Sequence, residues 1–255
     1  MAADAHSISG SRRPLIASAP APQNERMPTD VPRPPWSGPT TPDAPPSARN
    51  GPSSPDNLLS TPRGPARVDT DLPAGQPSAL LVLGHGAGGD VKAPDLCALR
   101  DTAVGVGLVV ARVTQPYRVA GRRAPAPAGH LDEAWTAVLA VLLRRHPGVP
   151  LLVGGRSSGA RVACRTAPTV GAVGVVALAF PLHPPGRPER SRAAELDTGL
   201  PTLVVNGDRD PFGVPHPIPG MRVVTRPGER HDLRGDPTGT AAVVCDWLRG
   251  QGWTR

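Results

Sequence analysis

Leu151-Leu152-Val153-Gly154-Gly155-Arg156-Ser157-Ser158-Gly159-Ala160-Arg161-Val162-Ala163 decides how this chain is read. Leu151 to Val153 fit the end of a buried parallel strand, glycines punctuate it, and helical character resumes from Ala160. A strand that turns at once into a helix lifts the residue at the bend above the sheet, and that residue is Ser157. The positions two before and two after the bend must be very small. Gly155 and Gly159 are; a bend centred on Ser158 would put Arg156 and Ala160 there. At the start of a helix the serine lies in a positive field that favours a developing oxyanion. The backbone N–H of Ser158 is the expected donor to it.

The surroundings alternate strands with helices. Residues 79–83 are continuously apolar and close on Gly84; 66–72 alternate weakly, as an edge strand does. A helix over 95–104 and a strand over 108–113 follow. Leu131, Ala134, Trp135, Val138, Leu139 and Leu142 recur at helical spacing, which predicts an amphipathic helix over 130–145, stopped by Pro147-Gly148. Strands over 173–179, 202–205 and 222–225 precede a last helix over 238–249. The order implies an α/β fold with a doubly wound, mostly parallel sheet, whose site lies just past the carboxyl ends of its strands.

Gly84-His85-Gly86-Ala87-Gly88-Gly89 follows the first central strand, and its glycines let backbone approach a ligand. Ala87 is placed to give a second oxyanion N–H. The same glycines satisfy G-x-G-x-x-G, the dinucleotide fingerprint of an oxidoreductase. That rival needs a helix opening inside the motif and an acidic residue closing the next strand. Here Pro94 delays the helix and the next strand ends at Arg112.

With a serine at the bend, this topology supplies an acid and then a histidine from later strand ends. Asn206-Gly207-Asp208-Arg209-Asp210 follows the strand at 202–205; Asp210 is the expected acid and Asp208 the alternative. His231 stands after the next strand and before the final helix, where a base belongs. His216, between Pro215 and Pro217, reads as a surface-loop residue. His85 and His183 lie on loops at the right end of the sheet and read as pocket-shaping groups. The set predicts acyl transfer through Ser157 with no cofactor. No HExxH or paired ligand spacing points to a metal.

Composition narrows the alternatives. The first 77 residues hold 17 of the 35 prolines and almost no apolar periodicity, so residues 1–60 are expected to be a disordered Pro-rich tail before a single domain over 61–255. The net charge of +7 falls outside that Pro-rich stretch, but its arginines are scattered and aromatic residues make up only 3%. That argues against nucleic-acid binding and for a solvated basic surface with some preference for anionic substrates. Cys97, Cys164 and Cys245 show no disulfide framework, as expected in a reducing compartment. No apolar run reaches the roughly 18 residues of a membrane span, and Ser11-Arg12-Arg13 lacks the apolar core of an export signal. The expected location is the cytoplasm.

Gly84-His85-Gly86-Ala87-Gly88, Gln115-Pro116-Tyr117-Arg118 with Gly121-Arg122-Arg123, the turn at Ser157, Phe180-Pro181-Leu182-His183-Pro184-Pro185-Gly186 and Gly207-Asp208-Arg209-Asp210-Pro211-Phe212-Gly213 occur in that order. The set resembles a bacterial α/β-hydrolase branch similar to dienelactone hydrolases and to the hydrolase-like domain of a chromatin NSL-complex subunit. The resemblance implies a compact α/β-hydrolase fold and a Ser157, Asp210, His231 triad. His85, Tyr117, Arg156 and His183 are expected to line the pocket. With no long insertion between 180 and 202, no large cap is expected and the pocket should be open, suited to a small ester, lactone or thioester. The resemblance also supplies a non-enzyme alternative, a silent binding or scaffold domain on the same fold. Two departures stand out: a short Pro-rich stretch from Asp210 to Met221 in place of a helix, and Glu229-Arg230 before His231.

Overall fold

A computed structural model describes residues 57–255. The expected tail lies, up to residue 56, outside the described residues. Leu58–Leu59 already pair with the next strand, so the sheet begins slightly before the boundary expected at residue 61.

The elements run β1 (Leu58–Leu59), β2 (Ala66–Asp71), β3 (Ala79–Gly84), α1 (Pro94–Gly105), β4 (Leu108–Thr114), α2 (Pro116–Val119), α3 (Ala128–Arg145), β5 (Leu151–Arg156), α4 (Ser158–Thr166), β6 (Gly174–Leu178), β7 (Thr202–Gly207), β8 (Met221–Arg226) and α5 (Pro237–Gly250). They form one eight-stranded sheet in the order β1-β2-β4-β3-β5-β6-β7-β8. β2 runs antiparallel to β1 and β4, and every other pairing is parallel. This is the doubly wound sheet the sequence predicts.

Both faces are covered. Along β3, Leu80 and Val82 join the core that takes Trp135 and Leu142 of α3 and Ala160 of α4. Their neighbours Leu81 and Leu83 join the core with Leu96 of α1 and Val244 of α5. A strand buried on both faces needs apolar residues at every position, so β3 and β5 read as unbroken runs.

The chain leaves β3 toward β4 on one side and meets β5 on the other, so the loops after β3 and β5 diverge. Ligand sites of open α/β sheets form at such switch points. α4, which starts at the bend, is held in place by charged pairs. Arg165 binds Asp132 of α3 through two nitrogens, and Arg161 and Arg165 share Glu195. Between β6 and β7 the described chain forms only a short 3-10 turn, Ala193–Leu196, and no cap. Between β7 and β8 there is no helix either.

Candidate active site

Ser157 has φ 54° and ψ −112°, and only Ala179 and Leu233 share a positive φ among the described non-glycine residues. Strain of this kind persists only where surrounding packing enforces it. The enforcement comes from glycines. A Cβ on Gly155 would lie 2.9 Å from Gly159 C and collide with Gly84 O; one on Gly159 would also strike Gly84 O. The close approach therefore involves three glycines, with the end of β3 as the third partner. The Ser157 N–H donates to Leu178 O at 2.9 Å, which ties the bend to β6.

The expected acid and base converge on this serine. His231 Nε2 lies 2.9 Å from Ser157 Oγ, and His231 Nδ1 lies 2.8 Å from Asp210 Oδ2. An ionised carboxylate can only accept, so Nδ1–H donates to Asp210 and Nε2 is free to accept from the serine hydroxyl. The Phe212 ring packs on the imidazole with centroids 4.2 Å apart. Asp210 has a fully buried side chain that also accepts from the Phe212 N–H at 2.9 Å and from Asn206 Nδ2 at 3.4 Å. Asp208, the alternative acid, is exposed and accepts from the Gly228 N–H at 2.7 Å, joining the loops that follow β7 and β8.

Two residues outside the motifs hold this corner. Asn206, fully buried, bonds Phe180 through both amide atoms and donates to Gly213 O at 3.1 Å. Its only sequence signal is a polar residue closing an apolar strand. Glu229 turns inward: its carboxylate accepts from the N–H groups of Gly235 and Asp236, closing the loop that carries His231. Its carbonyl accepts from Arg209 N at 3.0 Å and presses on Gly207. One residue thus clasps both the acid loop and the base loop. Leu233, fully buried, anchors the far side of the base loop in the core.

The residues expected around the pocket divide. His85 is buried and uses both ring nitrogens, Nε2 accepting from Gln115 N at 3.1 Å and Nδ1 on Gly86 O at 2.8 Å. That requires a neutral ring, and burial lowers its pKa accordingly. Tyr117 donates to Ala87 O at 2.6 Å, so both side chains support the glycine loop from behind. Tyr117 also lines a cavity of about 160 Å³ with Gln115 and His130. His183 braces the acid loop, its N–H donating to Phe212 O at 3.0 Å. His216 is exposed, as expected of a loop residue.

Arg156 lies beside Ser157 with only a loose contact to the buried Asp95, 3.7 Å from Nε to Oδ2. Beside His231 an open cleft of about 450 Å³ is lined by Arg209, Pro211, Arg230 and Asp232. α1 starts at Pro94, beyond the last glycine of Gly84-His85-Gly86-Ala87-Gly88-Gly89, so no helix opens inside the dinucleotide-like motif. Among the described residues no group of three or more His, Cys, Asp or Glu is placed to hold a metal, and no helix is long and apolar enough to cross a membrane.

The fold is similar to solved structures. A serine hydrolase without lid from Xanthomonas campestris is 20% identical, with a TM-score of 0.63 over 76% of this chain and 93% of that one. A serine hydrolase homologue from Coxiella burnetii is 20% identical, with a TM-score of 0.63 over 75% and 95%. A dienelactone hydrolase from Anabaena variabilis is 18% identical, with a TM-score of 0.60 over 78% and 96%. At these identities the likeness shows the fold alone. No curated protein matches the sequence. Residues 77–227, more than half of the chain, match the family described as alpha/beta hydrolase domain, and the chain belongs to that family.

Proposed function

We propose that the protein is a serine esterase that cleaves small esters, lactones or thioesters through an acyl-enzyme on Ser157. The observation that carries this reading is the unbroken hydrogen-bonded chain from Ser157 Oγ through His231 to Asp210. A silent scaffold has no use for a strained serine aligned on a half-buried, carboxylate-oriented imidazole.

In the proposed reaction, His231 Nε2 takes the Ser157 proton as Oγ attacks the substrate carbonyl. Asp210 holds the imidazole in the Nδ1–H tautomer and stabilises the imidazolium. The oxyanion is received by the N–H groups of Ala87 and Ser158, the second of them at the N-terminus of α4. His231 then returns the proton to the leaving oxygen or sulfur, and water releases the acyl group by the same steps in reverse. The open cleft at His231 and the bare chain between β6 and β7 favour small substrates over long acyl chains.

A panel of 4-nitrophenyl acetate, butyrate and octanoate tests the reading. Turnover should be highest for the short chains, and Ser157→Ala should lose activity by a factor on the order of 10⁶, down to background. Equal turnover by wild type and Ser157→Ala would overturn it.

A further inference from the structure

The acyl-enzyme mechanism leaves two charged side chains beside the nucleophile without a task. Arg156 immediately precedes Ser157, and its guanidinium lies against the glycine loop. The point a Cβ on Gly86 would occupy is 3.5 Å from Ser157 Cβ and 3.6 Å from Arg156 Nη2. At those distances even a β-carbon would make only ordinary contacts, so the guanidinium lies alongside the glycine loop and next to the serine. Arg156 Nε is buried and makes no hydrogen bond, and its terminal nitrogens donate to no other described residue. Its side chain is 15% exposed, and of its nitrogens only Nε is fully buried without a partner.

Behind it sits Asp95, in the first turn of α1. Its side chain is fully buried, and neither carboxylate oxygen meets a donor in good hydrogen-bond geometry, although the backbone N–H groups of Leu96 and Asp95 itself lie near enough to favour the charged form. A covered cation and a buried carboxylate without well-formed hydrogen bonds are costly to keep. The fold nevertheless keeps the two side by side at the residue that immediately precedes the serine. An incoming carboxylate would complete the arrangement, because the forked N–H groups of a guanidinium match its two oxygens. Asp95 faces Nε at 3.7 Å and leaves the terminal nitrogens without a described partner.

We propose that Arg156 is a specificity-determining residue that binds a carboxylate on the acyl group of the substrate, making half-esters of short dicarboxylic acids the preferred substrate class. This rests on the acyl-enzyme reading. In that reaction the carbonyl oxygen points at Ala87 and Ser158 and the leaving group at His231. The acyl chain is then the part of the substrate that passes Gly86 and meets Arg156.

Two esters of equal chain length test it: 4-nitrophenyl hydrogen adipate, which carries the free carboxylate, and neutral 4-nitrophenyl hexanoate. After subtraction of spontaneous hydrolysis, wild-type kcat/KM should favour the adipate by about tenfold or more at low ionic strength. Added salt should shrink that ratio. Arg156→Gln should bring the ratio near one, while Arg156→Lys, which keeps the charge but loses the fork, should retain part of it. A wild-type ratio of one or below overturns the proposal, whatever the variants do, and leaves the esterase reading standing. A ratio that survives in Arg156→Gln of unchanged melting temperature overturns it too. Hydrolysis of neither ester by the wild type removes both readings together.

Discussion

Asp210 and Asp95 have equally buried side chains at the same end of the sheet, yet the fold treats them in opposite ways. Asp210 accepts from His231, from the Phe212 N–H and from Asn206. Asp95 accepts no well-formed hydrogen bond, only the weak pull of the Leu96 and Asp95 backbone N–H groups, and faces Arg156 across 3.7 Å. Burial pushes the Asp95 carboxyl up to about 6 against the pull of Arg156. The difference separates two uses of a buried charge. One is fixed by donors and faces the His231 imidazole; the other is left without a well-formed hydrogen bond beside the Arg156 guanidinium. A network whose members are all paired resists perturbation, and an unpaired charge makes the fold respond to pH.

At the first corner the strongest response is expected from Asp210 itself. Asp210→Asn keeps size but favours the wrong imidazole tautomer, so turnover of one ester should fall by a factor on the order of 10⁴. Asp208→Asn, which touches only the Gly228 N–H, should cost little activity. The reverse ranking would move the acid to Asp208.

Glu229 sharpens the same corner at intermediate size. Glu229→Ala strands two backbone N–H groups of the base loop, which should cost about 2–4 kcal/mol of stability. A base displaced by an ångström loses on the order of 10²-fold in kcat. Thermal melting and kcat per folded enzyme should therefore fall together; a lowered melting temperature with wild-type kcat would make Glu229 a stabilising residue only.

The second corner should respond in the opposite direction. The folded-state value for Asp95, about 6, lies above the unfolded value of 3.8, so the folded protein binds the extra proton between them. Stability is therefore lost as pH rises through that window and stays lower above it. Asp95→Asn removes the charge and should stabilise the protein by about 2 kcal/mol at pH 7.5, with the gain gone near pH 4. Melting curves at the two pH values check this; a destabilised variant at pH 7.5 would mean the ion pair outweighs the burial cost.

Much of this was legible in the sequence because strand ends and chemistry coincide. Ser157, Asp210 and His231 each follow an apolar run, and topology orders them. The four-residue α2 and two-residue β1 are too short to leave a periodic signal. Glu229 carries no signal of its own in the sequence, where the departure before His231 is Arg230, because no rule of spacing says that a glutamate turns inward to accept two N–H groups. Asp95 reads as an ordinary first-turn acid, favourable to the helix dipole. Its isolation depends on Arg156, 61 positions away in the chain and adjacent only through the sheet. His85 and Tyr117 were legible as residues at the site, but their part in propping the glycine loop needed the hydrogen bonds to Gln115 and Ala87.

An activated nucleophile at Ser157 should be open to covalent labelling. Wild type and Ser157→Ala would be treated with a fluorophosphonate, weighed intact by mass spectrometry and mapped by peptide. The account predicts one phosphonyl adduct per wild-type chain, on Ser157, and none on the variant. Labelling of Ser157→Ala at the wild-type rate, or an adduct mapped to Ser158, would contradict it.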